Sequence, residues 1–403
     1  MKNLKCIQLL VLLPVCVIGT AKSAVGYFGF PRPTGQYGIG TKVIELTDAY
    51  RQDPETKRDR RLIMQAWYPS SLLQSYDGTS PSEGNLDVPT YPYTYEMQRM
   101  LKKILAKASA KQEQVSQLAS IRTHAIQDAQ VLVKESPYPV VIFAHGYRTS
   151  RGGYSSLCED IASHGYIVLM VMHTYITEIT RFLDGSEVCT VRDRGFETIM
   201  NCYADIEFML DNAQAGAFKE LTHVCDFKNI GIVGHSIGGM MANHTCRMDS
   251  RIKAGISLDG PLFGPGAKEP PHKPFMFMLA ETFNEMFGDE EGLKFANMSE
   301  EEFATCIDTF CQKNGANAHK LILKNSAHCT FSDCPILVNI LKKILKTDDI
   351  HLGAGTIDGL IAIEIIRTLI INFFDKYLKG LPSALFDGND TRYAEYVEFK
   401  NWV

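Results

Sequence analysis

The pentapeptide Gly234-His235-Ser236-Ile237-Gly238 is where residue types and spacing first point to chemistry in this chain. It fits G-x-S-x-G, follows the apolar run Asn229 to Val233 and precedes a helical pattern from about Gly239 to Arg247. A strand that turns sharply into a helix through small residues lifts a serine hydroxyl clear of the sheet. The hydroxyl then sits at the helix end where developing negative charge is favoured. That arrangement suits nucleophilic attack on an ester carbonyl, with Ser236 as nucleophile. The competing reading is an ordinary Gly-rich turn with a capping serine.

A serine hydroxyl needs a general base, and imidazole has the basicity that suits neutral pH. Lys320 to Lys324 reads as the last strand of the repeating pattern, and the loop Asn325-Ser326-Ala327-His328 follows it. His328 therefore arrives at the carboxyl ends of the strands. His319 precedes the same strand, His351 lies a helix further on and His272 comes before a strand, so none of them is as well placed. An acid must orient the imidazole and steady its charge. Asp259 ends the strand Ile252 to Leu258, and Glu281 ends the strand Pro274 to Ala280. Topology alone leaves both open. The oxyanion needs two backbone N–H groups, one from the residue after the nucleophile and one from the loop after an earlier strand. Those residues are Ile237 and Tyr147, the latter just after His145-Gly146.

The elements around these residues repeat as strand, loop and helix. Pro139 to Ala144 and Tyr166 to Met172 read as buried strands, Tyr154 to His164 and Asp193 to Ala215 as helices. Pro335 to Leu345 and Thr356 to Leu378 are long closing helices, and Thr41 to Leu46 and Arg61 to Tyr68 are two early strands. Alternation of this kind implies an α/β-hydrolase fold, with a mainly parallel central sheet covered by helices on both faces. Ligands should bind at the carboxyl ends of the strands. Ser70 to Tyr95 reads as a long loop. Glu96 to Val131 carries apolar residues at helical spacing and reads as a helical insertion, either a solvated helix pair or a cap over a substrate pocket. A cap would turn Met97, Met100, Leu101 and Ile104 toward lipid.

Composition narrows the class. In 403 residues, 45% hydrophobic and 22% charged, there is ample material for a large soluble core. A formal charge of −5 gives no basic face for nucleic acid. Lys2 and Lys5, the apolar run Cys6 to Gly19 and the small residues Ala21 and Ser23 form a secretory signal peptide over residues 1–23. Its apolar run is shorter than the ~20 residues a span needs. The hydrolase domain is then residues 24–403, and the destination is the periplasm or the exterior. Nine of eleven cysteines remain, so disulfides are expected, with at least one thiol left over. Cys306 with Cys311 and Cys329 with Cys334 are local clusters whose x4 spacing does not suit zinc.

With these residues in place, the chain resembles the plasma-type platelet-activating factor acetylhydrolase family and related bacterial lipase-like α/β hydrolases. The shared phrases are Gly38 to Asp48, Leu62 to Pro69, Pro137 to Gly146, Glu159 to Val168, Ile230 to Gly239, Ile256 to Asp259, His328 to Asp333 and Phe373 to Gly380. The resemblance implies Asp259 as the acid, Tyr147 and Ile237 as oxyanion donors, and calcium-independent hydrolysis of short or oxidised acyl chains on phospholipids. It implies no cofactor or metal, an ester or phospholipid substrate, and transient contact with lipid surfaces. Departures fall at Tyr147, at Met172-His173-Thr174 and at Gly260-Pro261 after the acid, all positions that shape the pocket. A general carboxylesterase, lipase or polyester hydrolase would use the same machinery. A secreted binding protein on a hydrolase scaffold is the reading from another class.

Overall fold

The computed structural model describes residues 29–71, 90–92, 95–118, 121–190, 196–263, 269–290, 293–294, 298–388 and 390–401. The signal-peptide expectation falls on residues 1–23 and lies outside them.

Among the described residues eleven strands form one sheet. In chain order they are β1 (Gly38–Gln52), β2 (Asp59–Ser70), β3 (Thr90–Pro92), β4 (Arg122–Gln127), β5 (Tyr138–Ala144) and β6 (Ile167–Met172). A separate hairpin, β7 (Ile179–Arg181) and β8 (Glu187–Cys189), follows. The sheet continues with β9 (Cys225–His235), β10 (Ile252–Leu258), β11 (Phe275–Ala280), β12 (Ala318–Leu323) and β13 (Val397–Asn401). Its spatial order is β13-β12-β11-β10-β9-β5-β6-β2-β1-β4-β3. From β6 through β5, β9, β10 and β11 to β12 every pairing is parallel. The antiparallel pairs lie toward the two edges.

Central parallel strands are buried on both faces and so read as unbroken apolar runs. All seven residues of β5, YPVVIFA, are buried, as are all six of β6 and of β11. Their side chains alternate between two apolar layers. Val141 and Phe143 join the layer under α3 (Ser155–Ser163) and the helices Cys334–Leu345 and Gly359–Lys379. Val140 and Ile142 join the layer under α4 (Phe196–Gln214), α5 (Ile237–Met248) and the helix Glu300–Asn314.

The segment expected to be helical from Glu96 to Val131 departs from that reading. Its helices are α1 (Tyr95–Lys107) and α2 (Gln112–Gln117), after which the chain becomes β4. Thr123 and Ala125 point into the protein while Arg122 is exposed, a period of two that overrides the preceding helical spacing. The apolar stripe of α1 also faces inward. Met97, Leu101 and Leu105 are buried, and Met100 and Ile104 pack against the same layer, so these residues do not present a lipid-facing surface. Amphipathic spacing gives a stripe but not the side it turns to. Among the described residues no helix is long and apolar enough to cross a membrane. All nine cysteines there are free thiols, with Cys329 and Cys334 hydrogen-bonded to each other.

Candidate active site

Ser236 stands between the end of β9 and the first residue of α5, with φ +60° and ψ −125°. A non-glycine residue in this region carries strain of about 1–3 kcal/mol, tolerated only where the surroundings over-determine it. Here they do. The Ser236 N–H donates to the Leu258 carbonyl at 2.9 Å, and the Ser236 carbonyl accepts from the Gly239 and Met240 N–H groups at 2.8 and 3.3 Å. The turn also needs two glycines. A Cβ on Gly234 would lie 2.0 Å from the Gly238 carbonyl oxygen, and one on Gly238 would lie 2.1 Å from the Ala144 oxygen. The obstacles are backbone atoms and cannot rotate away.

The structure brings three of the sequence-derived residues into one chain of hydrogen bonds. His328 Nε2 is 2.9 Å from Ser236 Oγ, and His328 Nδ1 is 2.6 Å from Asp259 Oδ2. Asp259 is fully buried, and its other oxygen accepts from the Ala280 N–H at 2.7 Å. Both carboxylate candidates lie at this end of the sheet, but Glu281 does not reach the imidazole. Its Oε2 accepts from the Asn325 N–H at 3.0 Å, and its own N–H donates to Ser326 Oγ at 3.4 Å. Glu281 thus braces the loop that delivers His328. Of the other histidines weighed, His319 bonds Tyr377 Oη at 2.7 Å.

The two expected oxyanion residues flank the serine. Ile237 opens α5, where a first-turn N–H has no intrahelical acceptor. The Gly146 backbone lies against Ser236, since a Cβ built on it would sit 3.2 Å from Ser236 Cβ. The Tyr147 N–H, next along, donates to no atom of the described residues, whereas the Arg148 N–H is taken by the Ile176 carbonyl at 2.8 Å.

Sequence reading missed what ties these segments together. The Gly146 N–H donates to Tyr154 Oη at 3.0 Å, and Tyr154 Oη bonds His235 Nδ1 at 2.8 Å. His235 Nε2 lies 2.9 Å from the His328 carbonyl. One set of roles satisfies every atom: Tyr154 donates to Nδ1, and the Nε2–H of a neutral His235 donates to the carbonyl. Burial, with the neighbouring His328 second, pushes the His235 imidazole well below its ordinary pKa, which keeps it neutral. Beneath the Gly146–Tyr147 loop, His145 Nε2 accepts from the His173 N–H at 3.2 Å, and burial holds His145 down at about 3. His173 bonds Asp205 at 3.2 Å, and Arg60 grips Asp205 with two 2.8 Å bonds. The His before the serine was the available signal, but nothing in sequence says that Tyr154 meets it.

Tyr154→Phe strands the Gly146 N–H and removes the donor to His235, all in a buried site. The expected loss is roughly tenfold in kcat on a soluble acetate ester, in keeping with about 1–3 kcal/mol for a stranded buried group. Steady-state kinetics beside a melting curve checks this; lower stability with unchanged kcat would contradict it.

Behind the His328 loop, Asp333 is fully buried and accepts from Ser156 Oγ at 2.6 Å. Its Oδ2 has no hydrogen-bond partner among the described residues, and burial pushes the carboxyl up to about 7. A carboxyl whose folded pKa lies above its unfolded value favours folding most at acid pH. That contribution is lost as pH rises from about 4 through 7. Asp333→Asn removes the titration, so urea unfolding should show its stability relative to the unmodified chain rising between pH 5 and pH 8. A difference independent of pH would contradict the assignment.

Comparison with known proteins places the chain. The family profile for platelet-activating factor acetylhydrolase, isoform II, matches residues 23–217 and 205–391. A probable 1-alkyl-2-acetylglycerophosphocholine esterase of Arthroderma benhamiae is 26% identical over 94% of this chain and 95% of its own. Platelet-activating factor acetylhydrolase of Cavia porcellus is 25% identical over 63% of this chain and 62% of its own. Among solved structures, a ferulic acid esterase from Streptomyces cinnamoneus superposes with a TM-score of 0.68 at 28% identity, covering 93% of this chain and 99% of that one.

Proposed function

The chain belongs to the platelet-activating factor acetylhydrolase, isoform II, family, and from that premise we propose a secreted, calcium-independent serine hydrolase that removes short or oxidised acyl chains from phospholipids. It is an ester hydrolase of this family's type. The hydrogen-bonded run Ser236–His328–Asp259 is the observation that carries the mechanism. Ser236 Oγ attacks the ester carbonyl as His328 Nε2 takes its proton, and Asp259 holds the imidazole in the required tautomer. The Tyr147 and Ile237 N–H groups bind the tetrahedral oxygen, each donor worth about 10²–10³ in kcat. His328 then protonates the leaving alcohol, and a water repeats the sequence on the acyl-enzyme.

Secretion rests on the charged, apolar and small-residue pattern of residues 1–23. The same reading includes a disulfide between the neighbouring thiols of Cys329 and Cys334 in an oxidising compartment. A broader carboxylesterase is the second reading, favoured by the likeness to a ferulic acid esterase. Hydrolysis of phosphocholine lipids with acetyl, butyryl and octanoyl groups at the second glycerol carbon separates the two. The proposal expects rates to fall with chain length and to survive a calcium chelator. A preference for long chains, dependence on calcium, or cleavage of soluble aryl esters alone would contradict it.

A further inference from the structure

The Tyr147 N–H and the Gly146 carbonyl belong to one peptide group, and that carbonyl is held by side chains. It accepts from Thr149 Oγ1 at 2.8 Å and from His145 Nδ1 at 2.9 Å, with the Thr149 N–H at a longer 3.4 Å. The His145 contact has one consistent set of roles. Its Nε2 accepts from the His173 N–H at 3.2 Å, and burial keeps the ring neutral, so the single proton sits on Nδ1 and donates to the carbonyl. Arg148 takes φ +56°, a left-handed turn that brings Thr149 back over Gly146.

A trans peptide group is planar, so its C=O and N–H point in opposite directions. Donors that fix where the Gly146 oxygen points therefore fix where the Tyr147 hydrogen points. They also strengthen it, because a carbonyl that accepts hydrogen bonds polarises its amide and makes the N–H a better donor. An oxyanion donor is worth most when it is aimed before the reaction begins. The course of the loop is set by other bonds. The Gly146 N–H donates to Tyr154 Oη at 3.0 Å, the Arg148 N–H to the Ile176 carbonyl at 2.8 Å, and the Glu178 N–H to the Thr149 carbonyl at 3.4 Å. The Thr149 hydroxyl takes part in none of these. It also lies 3.2 Å from Tyr154 Oη, but both hydroxyl protons are already placed, one on the Gly146 oxygen and one on His235 Nδ1.

We infer that Thr149 is a positioning residue for the reaction. Through the Gly146 carbonyl its hydroxyl, together with the Nδ1–H of His145, aims and strengthens the Tyr147 N–H that binds the tetrahedral oxygen. The inference rests on the oxyanion assignment of the previous subsection and names the side chain that readies that donor.

Thr149→Val keeps the shape of the side chain and removes the hydroxyl, whereas Thr149→Ser keeps the hydroxyl. Thr149 is half-buried, so neither change opens the core. On p-nitrophenyl acetate, Thr149→Val should lower kcat about tenfold with KM unchanged, a fraction of the roughly 10²–10³ lost when an oxyanion donor is removed outright. Thr149→Ser should recover most of that loss. A butyl trifluoromethyl ketone gives a readout that does not depend on turnover. Ser236 Oγ adds to its carbonyl carbon, the serine proton passes to His328 Nε2, and the ketone oxygen becomes an anion held by the same N–H groups. Its inhibition constant should rise about tenfold in Thr149→Val, in step with kcat. A loss of packing alone would lower the melting temperature and leave that constant where it was. Unchanged kcat in Thr149→Val, a fall in kcat with no loss of ketone affinity, or a serine variant as impaired as the valine one overturns the inference. An unmodified chain that hydrolyses the ester but does not bind the ketone overturns the oxyanion assignment itself, and the role of Thr149 with it.

Discussion

Ser236→Ala lowers kcat on an activated acetate ester by about six orders of magnitude, the scale seen when a triad nucleophile alone is removed. The fold should survive. The backbone bonds that hold the turn, from the Ser236 N–H to Leu258 and from Gly239 and Met240 to the Ser236 carbonyl, involve no side-chain atom. Alanine at φ +60° bears strain similar to that of serine, and the one side-chain bond lost is the 2.9 Å contact to His328 Nε2. A melting temperature within a few degrees of the unmodified chain, together with the kinetic loss, separates chemistry from stability. Residual rate above background is expected from Tyr147 and Ile237 and from binding, on the order of 10³–10⁴ over water.

Asp259→Asn lowers kcat by about 10⁴, and Glu281→Gln changes it by less than about tenfold. The contrast follows from where each carboxylate spends its oxygens. Asp259 Oδ2 lies 2.6 Å from His328 Nδ1, so an amide there can turn its NH₂ toward the ring, favouring the tautomer that leaves Nε2 protonated and useless as a base. The Ala280 N–H still has Oδ1 to donate to, so the local backbone is kept. Glu281 instead braces the Asn325–Ser326 backbone, and glutamine retains an acceptor for that purpose. Kinetics of the two variants on p-nitrophenyl acetate decide the matter. Equal losses, or a larger loss at position 281, would reverse the assignment.

Much of the site lay open in the sequence because its parts have local signatures. The Gly234 to Gly238 turn follows a strand whose Ile230, Ile232 and Val233 are all fully buried, and the β9-to-α5 passage is stated by five residues. His328 could be placed because a short loop after the last parallel strand can go only to the sheet's carboxyl edge. The acid was not separable on topology, since Asp259 and Glu281 end adjacent parallel strands, β10 and β11, about one strand spacing apart. What divides them is the backbone after the strand. Asp259 takes φ +49° and donates its N–H to the Met278 carbonyl at 2.7 Å, which turns the carboxylate toward the imidazole. No residue pattern announces that turn.

Elsewhere the period of two was too short to stand out. β4 and β13 span six and five residues and carry charged side chains outward. The inward stripe of α1 fails for another reason, since facing is a tertiary property. The Gly146–Tyr154–His235–His328 connection joins four segments of the chain, and only the fold brings them together.

The most direct measurement of the central claim is covalent labelling of the chain with a fluorophosphonate, followed by peptide mapping against esterase activity. The account predicts one equivalent of label on the peptide bearing Ser236, activity lost in step with labelling, and no label on Ser236→Ala. Label on another residue, or activity that persists once Ser236 is fully modified, would contradict it.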